Sequence, residues 1–207
     1  MTARIDELPG ITYRGSHQTK ELVMGQLPDS LRDALGVVNG LVAFRGGLHI
    51  RGAVDEPAWH SLGAAWRGHR AFWRHYRSLT EADVPFGQDA LGDQFFLRGE
   101  EVWRLLAETD EAEVVSVSLA DFLGSCLHDP VGFLSLEPLL RLEQEGSHLS
   151  PGQLINAYPP FATSQSSAGN VSLRAVPIDE QHYFLEKLSA TLRDLPPGAP
   201  FEMKFVD

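Results

Sequence analysis

The sequence has a single cysteine, Cys126, which excludes an internal disulfide framework and any zinc site built from several cysteines. No apolar run approaches the ~18 residues of a transmembrane helix. The opening MTARIDELPG lacks the apolar segment of a secretory signal. Cations are also scarce, because 17 Lys and Arg face 28 Asp and Glu, for a formal net charge of −11. Such a field repels phosphate backbones and favours cationic partners. We therefore expect a cytoplasmic protein that binds neither nucleic acid nor membrane.

The usual sequence signatures of catalysis are absent as well. The chain has no Gly-x-Ser-x-Gly, Ser-x-x-Lys, P-loop or Gly-x-Gly-x-x-Gly motif, and no His-Glu-x-x-His pair for zinc. His69 and His75 are six residues apart and fall on different faces of a helix, so they do not form a zinc-binding pair. Because His69 lies on an apolar stripe, we expect it in the core or at its rim. Cys126 lies in an apolar stripe, where a thiol packs as a small hydrophobe. We expect no cofactor.

Several segments in the first half of the chain have clear patterns. LPDSLRDALGVVNGL (27–41) predicts a short helix with Leu31, Leu35 and Val38 on one face, ending near Asn39. VAFRGGLHIRG follows, and Gly46-Gly47 between two apolar runs predicts a two-residue hairpin turn with positive φ at both positions. We expect the first two strands of a sheet here.

Residues 57–79 have the three-four spacing of one long helix. Its aromatic stripe contains Trp59, Leu62, Trp66, Trp73 and Tyr76, with His69 on the same stripe. Arg67, Arg70, Arg74 and Arg77 form a neighbouring basic stripe. Such a helix suits single-stranded nucleic acid through stacking and cation–π contacts. Aromatic stripes at this spacing are more often core, and the acidic net charge also favours the core interpretation.

The second half predicts more strands and helices. QFFLRG and EEVWRLLA form a hairpin near Gly99-Glu100, and AEVVSVS adds a third strand to a meander. Ser118 caps a helix with the apolar face Leu119, Phe122, Leu123, Cys126 and Leu127, which ends at Asp129-Pro130. Further elements are predicted in order: a helix at 133–145, a strand LINAY, a strand VSLRAV, a helix at 178–195 and a strand FEMKFV. The sum is an α+β fold with largely antiparallel pairing.

Asp89 and Asp93, in FGQDALGDQFF, raise the question of a metal site. Calcium or magnesium usually takes six or more oxygens, and this loop lacks the dense acidic spacing of an EF-hand. Two carboxylates across Gly92 also suit a turn before a strand, where short polar side chains bond the local backbone. We favour the turn.

Carboxylates are concentrated between residues 83 and 113, where nine acids face only Arg98 and Arg104. This run is either an ordinary solvated face of the meander or an electronegative patch that steers a basic partner. On charge alone, the candidate partner-binding residues are Asp83, Asp89, Asp93, Glu100, Glu101, Glu108, Asp110 and Glu111.

The order LPDSLRDALGVVNGL, a Gly-Gly hairpin, FGQDALGDQFFL and VWRLLAETDEAEVVSVSLADFL resembles the SUKH superfamily, which includes yeast cell-wall-assembly regulators and bacterial immunity proteins. The similarity runs from about Leu27 to Phe133, and the tail resembles an extension of some bacterial members. Asp110 stands where the family turn has glycine, but Asp tolerates the left-handed conformation. The resemblance implies a SUKH-like core (27–145) and a C-terminal extension (146–207) that packs on the same domain. Residues 1–26 match nothing in the family and are expected to form a separate N-terminal segment.

The resemblance also implies a role in binding proteins without catalysis. We therefore expect an immunity protein that neutralises a toxin by direct association, with a basic partner such as a nuclease. The resemblance supplies no site residues, since binding surfaces differ between members. Two alternatives stay open: a metal-dependent hydrolase that uses Asp89 and Asp93, and a regulatory scaffold.

Overall fold

Seven strands form one antiparallel sheet in which each strand pairs with the next along the chain. The computed structural model describes residues 4–16, 19–166 and 171–196. The strands are β1 (Tyr13–Arg14), β2 (Leu41–Ala43), β3 (Leu48–Ile50), β4 (Val84–Asp89), β5 (Gln94–Arg98), β6 (Glu101–Leu106) and β7 (Glu111–Ser116). A separate hairpin contains β8 (Gln153–Tyr158) and β9 (Ser172–Pro177).

Seven α-helices accompany these strands. They are α1 (Glu21–Met24), α2 (Asp29–Val37), α3 (Leu62–Arg67), α4 (Leu119–His128), α5 (Pro130–Phe133), α6 (Glu137–Gln144) and α7 (Ile178–Arg193). In the described ranges, no helix has the length and apolar character needed to cross a bilayer. The predicted α+β class and the antiparallel pairing are confirmed.

The two faces of the sheet bury different apolar clusters. Phe95, Leu97 and Val102 lie in the larger one, which α4 covers with Phe122 at 4.8 Å between ring centroids from Phe95. Phe96 and Leu105 lie on the other face in a smaller cluster that includes Phe72, Tyr76 and, from α7, Leu185. Because side chains alternate along a strand, neighbouring residues of β5 and β6 feed opposite clusters. Every strand in this central part of the sheet therefore has both faces buried.

The predicted helix at 27–41 is confirmed as α2, which ends before Asn39 and buries Leu31 and Leu35. The predicted cap of the 119–128 helix is also confirmed, because Ser118 Oγ accepts the amide of Asp121 at 3.1 Å. Leu119, Phe122, Leu123 and Cys126 are buried as expected, although Leu127 is partly exposed. Burial raises the pKa of the Cys126 thiol, which is consistent with a neutral thiol that packs as a small hydrophobe.

The long helix predicted for 57–79 is wrong. The chain forms a 3-10 turn at Ala58–His60, then α3, and a second 3-10 turn at Phe72–Arg74. The helix ends at Gly68, where a Cβ would lie 2.5 Å from the carbonyl oxygen of Ala64. Backbone packing this close admits only glycine. Gly68 therefore ends the helix, although the three-four spacing of apolar residues continues beyond it. The interruption leaves His69 exposed, contrary to the expected core or rim position.

The aromatic side chains of this segment still pack inward, as the core interpretation predicted. Trp66 is buried and donates its indole N–H to the carbonyl of Glu81 at 3.1 Å. The Arg67 guanidinium lies over the Trp66 ring and pairs with the Glu81 carboxylate at 2.9 Å. These arginine and tryptophan groups are thus engaged with one another and with carboxylates at the rim of the core.

Four further predictions need correction or lie outside the described residues. β2 and β3 do form a hairpin, but its turn spans 44–47, with positive φ at Phe44, Arg45 and Gly46 and not at Gly47. These strands are the second and third of the sheet, because β1 precedes them. The helix predicted for 133–145 begins later, as α6 at Glu137. The strand predicted for FEMKFV (201–206) lies outside the described residues.

Candidate functional site

Asp89 shapes the turn between β4 and β5. Its Oδ1 accepts the backbone amides of Leu91, Gly92 and Asp93 at 2.9, 3.0 and 3.1 Å. Gly92 has φ +101, a conformation that side chains rarely adopt, and a Cβ there would press on Leu185 at 2.8 Å. The turn therefore needs a carboxylate at one end and a glycine in its middle, and the structural interpretation of Asp89 is confirmed.

The two carboxylates of this loop share one guanidinium. Arg104 Nη2 lies 2.7 Å from Asp89 Oδ2 and 2.8 Å from Asp93 Oδ2. Two buried negative charges thus meet one positive charge. Burial raises the pKa of Asp89 to about 7, the Asp93 carboxylate adds to the rise, and Arg104 opposes it. The guanidinium lies where the hydrolase alternative would require a cation, and the described residues contain no group of three or more His, Cys, Asp or Glu suited to a metal.

Three other predicted partner-binding acids are also engaged inside the fold. Asp83 is buried and holds Arg98 with two contacts of 2.9 and 2.8 Å. Glu108 accepts the amides of Phe161 and Ala162 at 3.2 and 2.5 Å, which fastens the loop after β8. Asp110 accepts from Arg193 at 2.6 Å and from the amide of Arg77 at 2.9 Å. Its φ of 60 confirms the expected left-handed turn.

Only part of the predicted acidic surface therefore faces solvent. Of the eight candidate residues, Glu100, Glu101 and Glu111 are exposed. The other five serve internal contacts: Asp83, Asp89, Asp93, Glu108 and Asp110. Glu113, which the prediction did not include, is exposed as well. The sequence shows that carboxylates are concentrated in residues 83–113. Only the fold distinguishes the carboxylates that make internal contacts from those that are exposed to solvent.

The exposed acids lie along one border of the sheet. We call this surface the acidic edge: Glu111 and Glu113 on β7, and Glu100 and Glu101 at the β5–β6 turn beside the other end of β7, with the exposed Val114 and Val117 on the same border. Val114 is 52% exposed and Val117 is 72% exposed. Among the described strands, β7 pairs only with β6, so its outer side is an open sheet edge. Open edges with apolar side chains are recurrent sites of protein association.

Trp103 adds an aromatic group next to the acidic edge. It pairs with Val114 across the β6–β7 ladder and is half-buried. The Arg98 guanidinium lies over its ring at 4.7 Å, and Glu101 accepts its indole N–H at 3.1 Å. Trp103 is thus held in one orientation at the surface. Rigid aromatic side chains of this kind lose little entropy when a partner covers them.

A linked series of hydrogen-bonded polar groups, which no sequence pattern predicted, is buried behind β3 and β4. Gln88 Nε2 lies 3.3 Å from His49 Nδ1, His49 Nε2 lies 2.9 Å from His60 Nδ1, and His60 Nε2 lies 3.2 Å from the carbonyl oxygen of Asn39. Burial lowers the pKa of His60 to about 4 and lowers that of His49 well below its ordinary value. These histidines are neutral at physiological pH. They are remote in sequence and form no spaced motif, so only the fold brings them together.

Arg51 lies at the centre of this polar cluster. Its guanidinium donates to the carbonyls of Pro85 and Gly87 at 2.9 and 3.2 Å, and to Gln88 Oε1 and Gln94 Oε1, both at 2.6 Å. Within the described part of the chain, no carboxylate pairs with it. Burial lowers the pKa of Arg51 to about 9, so it keeps its charge at neutral pH. A buried cation held only by neutral acceptors is uncommon.

A comparison of the chain with protein-family models, with curated proteins and with solved structures gave no match to any of the three.

Proposed function

We propose that this protein is a non-catalytic binding module that neutralises a basic partner protein by direct association through its acidic edge. The observation that carries this proposal is the open border of β7, where Glu111 and Glu113 are exposed on one face of the strand and Val114 on the other. Val117, Glu100 and Glu101 are exposed at the end of the same border. Charge attracts and orients the partner, and burial of Val114 and Val117 holds it. An exposed apolar pair on a sheet edge otherwise invites aggregation.

The resemblance of residues 27–133 to the SUKH superfamily supports the same proposal from the sequence side. In that family, immunity proteins protect a cell by binding a toxin. A nuclease is a suitable partner class, because enzymes that bind nucleic acid carry the basic surface that an acidic edge would cover. On this proposal the bound partner is inactive because its own basic surface is occupied.

The first experiment is capture of partners from a lysate of the source organism with the immobilised protein. We expect a basic protein that is retained at low salt and released at high salt, because screening weakens charge attraction. The isolated partner is then assayed for its own activity with and without added protein. Stoichiometric inhibition is the expected result.

The test of the surface is a charge reversal of Glu100, Glu101, Glu111 and Glu113 to Lys. We expect association with the isolated partner to weaken by about 100-fold or more, mainly through slower association, since like charges now face each other. The matched control reverses four exposed acids elsewhere, Asp33, Glu56, Glu145 and Glu180, and changes the net charge equally. Tight binding by the edge variant, or equal weakening in the control, would show that another surface binds the partner.

A further inference from the structure

A cavity of about 310 Å³ opens between the segment 58–72 and the first turns of α7. Arg51 and His182 line its inner part, Trp59 and Phe72 contribute aromatic wall, and Arg70 and Glu186 lie nearer the solvent. This volume is at the lower end of the range of small-molecule sites. Aromatic walls with a few convergent polar groups are typical of sites for flat ligands.

The hydrogen positions at the inner end follow from Arg51. A guanidinium only donates, so the Gln88 oxygen, and not its nitrogen, faces Arg51 at 2.6 Å. That oxygen also lies 2.8 Å from His182 Nε2, which must therefore carry the ring proton. The other ring nitrogen, Nδ1, is then unprotonated. Among the described residues Nδ1 has no hydrogen-bond partner, so the ring that lines the cavity offers a free acceptor.

The charge state of His182 is fixed as well. Burial, together with the nearby Arg51 and Arg70 guanidinium groups, lowers the pKa of His182 to about 3. The imidazole is consequently neutral at any physiological pH. Its Nδ1 remains an acceptor and does not become a donor.

Glu186 supplies a second acceptor one helical turn further along α7. Its side chain is only 11% exposed, and its carboxylate oxygens lie 3.9 Å from Arg70 Nη2 and 3.5 Å from His75 Nδ1. Within the described ranges its carboxylate accepts no hydrogen bond. Residues four apart on a helix have Cβ atoms about 5–6 Å apart on one face. His182 and Glu186 both line the cavity, and this Cβ spacing is comparable to the width of one flat ring system.

We propose that this cavity binds a neutral, planar heterocycle that presents adjacent N–H donors, as 2-amino-oxopurines and 2-amino-oxopyrimidines do. The donors pair with the Glu186 carboxylate and His182 Nδ1, and the ring lies against Trp59 and Phe72. Positive and negative groups are both present around the cavity, because Asp179 and Glu186 accompany Arg51 and Arg70. This balance favours an uncharged ligand over a phosphate or an ammonium group.

The test is a calorimetric titration of the full chain with guanosine, whose N1–H and 2-amino groups are adjacent donors. The matched compound is 1-methylinosine, which has the same rings and ribose but neither donor. We expect saturable binding of guanosine and at least about tenfold weaker binding of 1-methylinosine, since buried acceptors would be left unpaired. Equal binding of the two compounds, or no binding of guanosine up to its solubility limit, would overturn the proposal.

A variant locates the site. Glu186→Gln keeps the shape of the side chain, and we expect it to weaken guanosine binding about tenfold or more through loss of a charge-assisted pair. Lys187→Gln, at the exposed next position of α7, is the control and should bind as the wild type does. Undiminished binding by a folded Glu186→Gln variant would place guanosine elsewhere. Tighter binding of a guanine-containing single strand than of guanosine would contradict a free small-molecule ligand.

Discussion

Asp89 illustrates how one side chain can stabilise a turn and also carry an unfavourable charge. Its Oδ1 collects three backbone amides, while its Oδ2 shares Arg104 with Asp93. Burial raises its pKa to about 7. The folded state therefore holds a proton at pH values where the unfolded chain, with an ordinary pKa near 4, has released it. Under this condition the contribution of Asp89 to stability is greatest at low pH and decreases as the pH rises toward about 7.

Asp89→Asn should separate the two effects. We expect the variant to be less stable than the wild type at pH 5, because amide and guanidinium donors then face each other. The difference should shrink as the pH rises to 8, since only the wild type then acquires the buried charge. Urea denaturation of both proteins at a series of pH values measures this difference. His49, His60 and His182, whose pKa values are lowered, give the opposite pH trend in stability, but they are present in both proteins, so their contribution cancels in the difference.

The control for this prediction is Asp33→Asn, an exposed position on α2 where the difference from the wild type should not change with pH. If Asp89→Asn became increasingly destabilising as the pH rises, the Arg104 guanidinium would outweigh burial. The pKa of Asp89 would then be lowered in the folded protein.

At the scale of the element, the loop after β8 depends on Glu108. The carboxylate comes from the β6–β7 turn and accepts two successive amides, those of Phe161 and Ala162. It replaces the strand pairing that this Pro-rich segment cannot form. Glu108 is therefore one of the groups that connect the main sheet to the segment after β8.

Glu108→Ala should release this loop without unfolding the sheet. We expect amide hydrogen exchange of Phe161 and Ala162 to accelerate by about tenfold or more, because a local opening no longer breaks two hydrogen bonds. Exchange within β5 and β6 should stay unchanged. Glu111→Ala, at an exposed acid of the same turn region, is the control. Unchanged protection at both amides in Glu108→Ala would mean that other contacts hold the loop.

The elements also show what sequence patterns can predict. α2, α4, the β5–β7 meander and the individual strands β8 and β9 follow from local periodicity, capping and turn signals, whereas the pairing of β8 with β9 was not predicted. The 57–79 segment has the same periodicity, but close backbone packing at Gly68 ends its helix, and a one-dimensional pattern carries no such information.

The candidate site was only partly predictable for a similar reason. Charge density located the region 83–113, yet some groups that engage its acids come from distant elements, such as Arg193 on α7 for Asp110. The buried set of Arg51, His60 and His182 comes from three distant segments with no shared motif. Long-range pairing decides both outcomes, and local spacing does not encode it.

At the scale of the whole molecule, the C-terminal segment is joined to the core by polar and apolar contacts. The amide of Ile155 donates to the carbonyl of Ala90 at 2.8 Å, and Gln181 Nε2 donates to the carbonyl of Leu91 at 3.0 Å. Leu185 lies in the same buried cluster as Phe96 and Leu105. The predicted extension thus supplies part of the wall around the main sheet.

A chain ending at Glu145 should therefore lose cooperative folding. Removal of β8 and α7 uncovers Leu105 and Phe96 and leaves the polar groups around Gln88 without His182. We expect a broad thermal transition, weak near-ultraviolet circular dichroism and dye binding to exposed apolar surface. The full chain should unfold in one transition by tryptophan fluorescence and circular dichroism. A sharp transition in the shortened chain would instead identify residues 1–145 as an independent domain.

The open border of β7 has one more consequence, which concerns copies of the protein itself. Two bare sheet edges with exposed valines would pair into a continuous sheet, and a row of carboxylates on both prevents this by mutual repulsion. We therefore expect the exposed Glu111 and Glu113 to oppose self-association of the uncovered edge. High salt or acid weakens that repulsion together with the attraction for a cationic partner, so the conditions that release a partner also favour self-association of the uncovered edge.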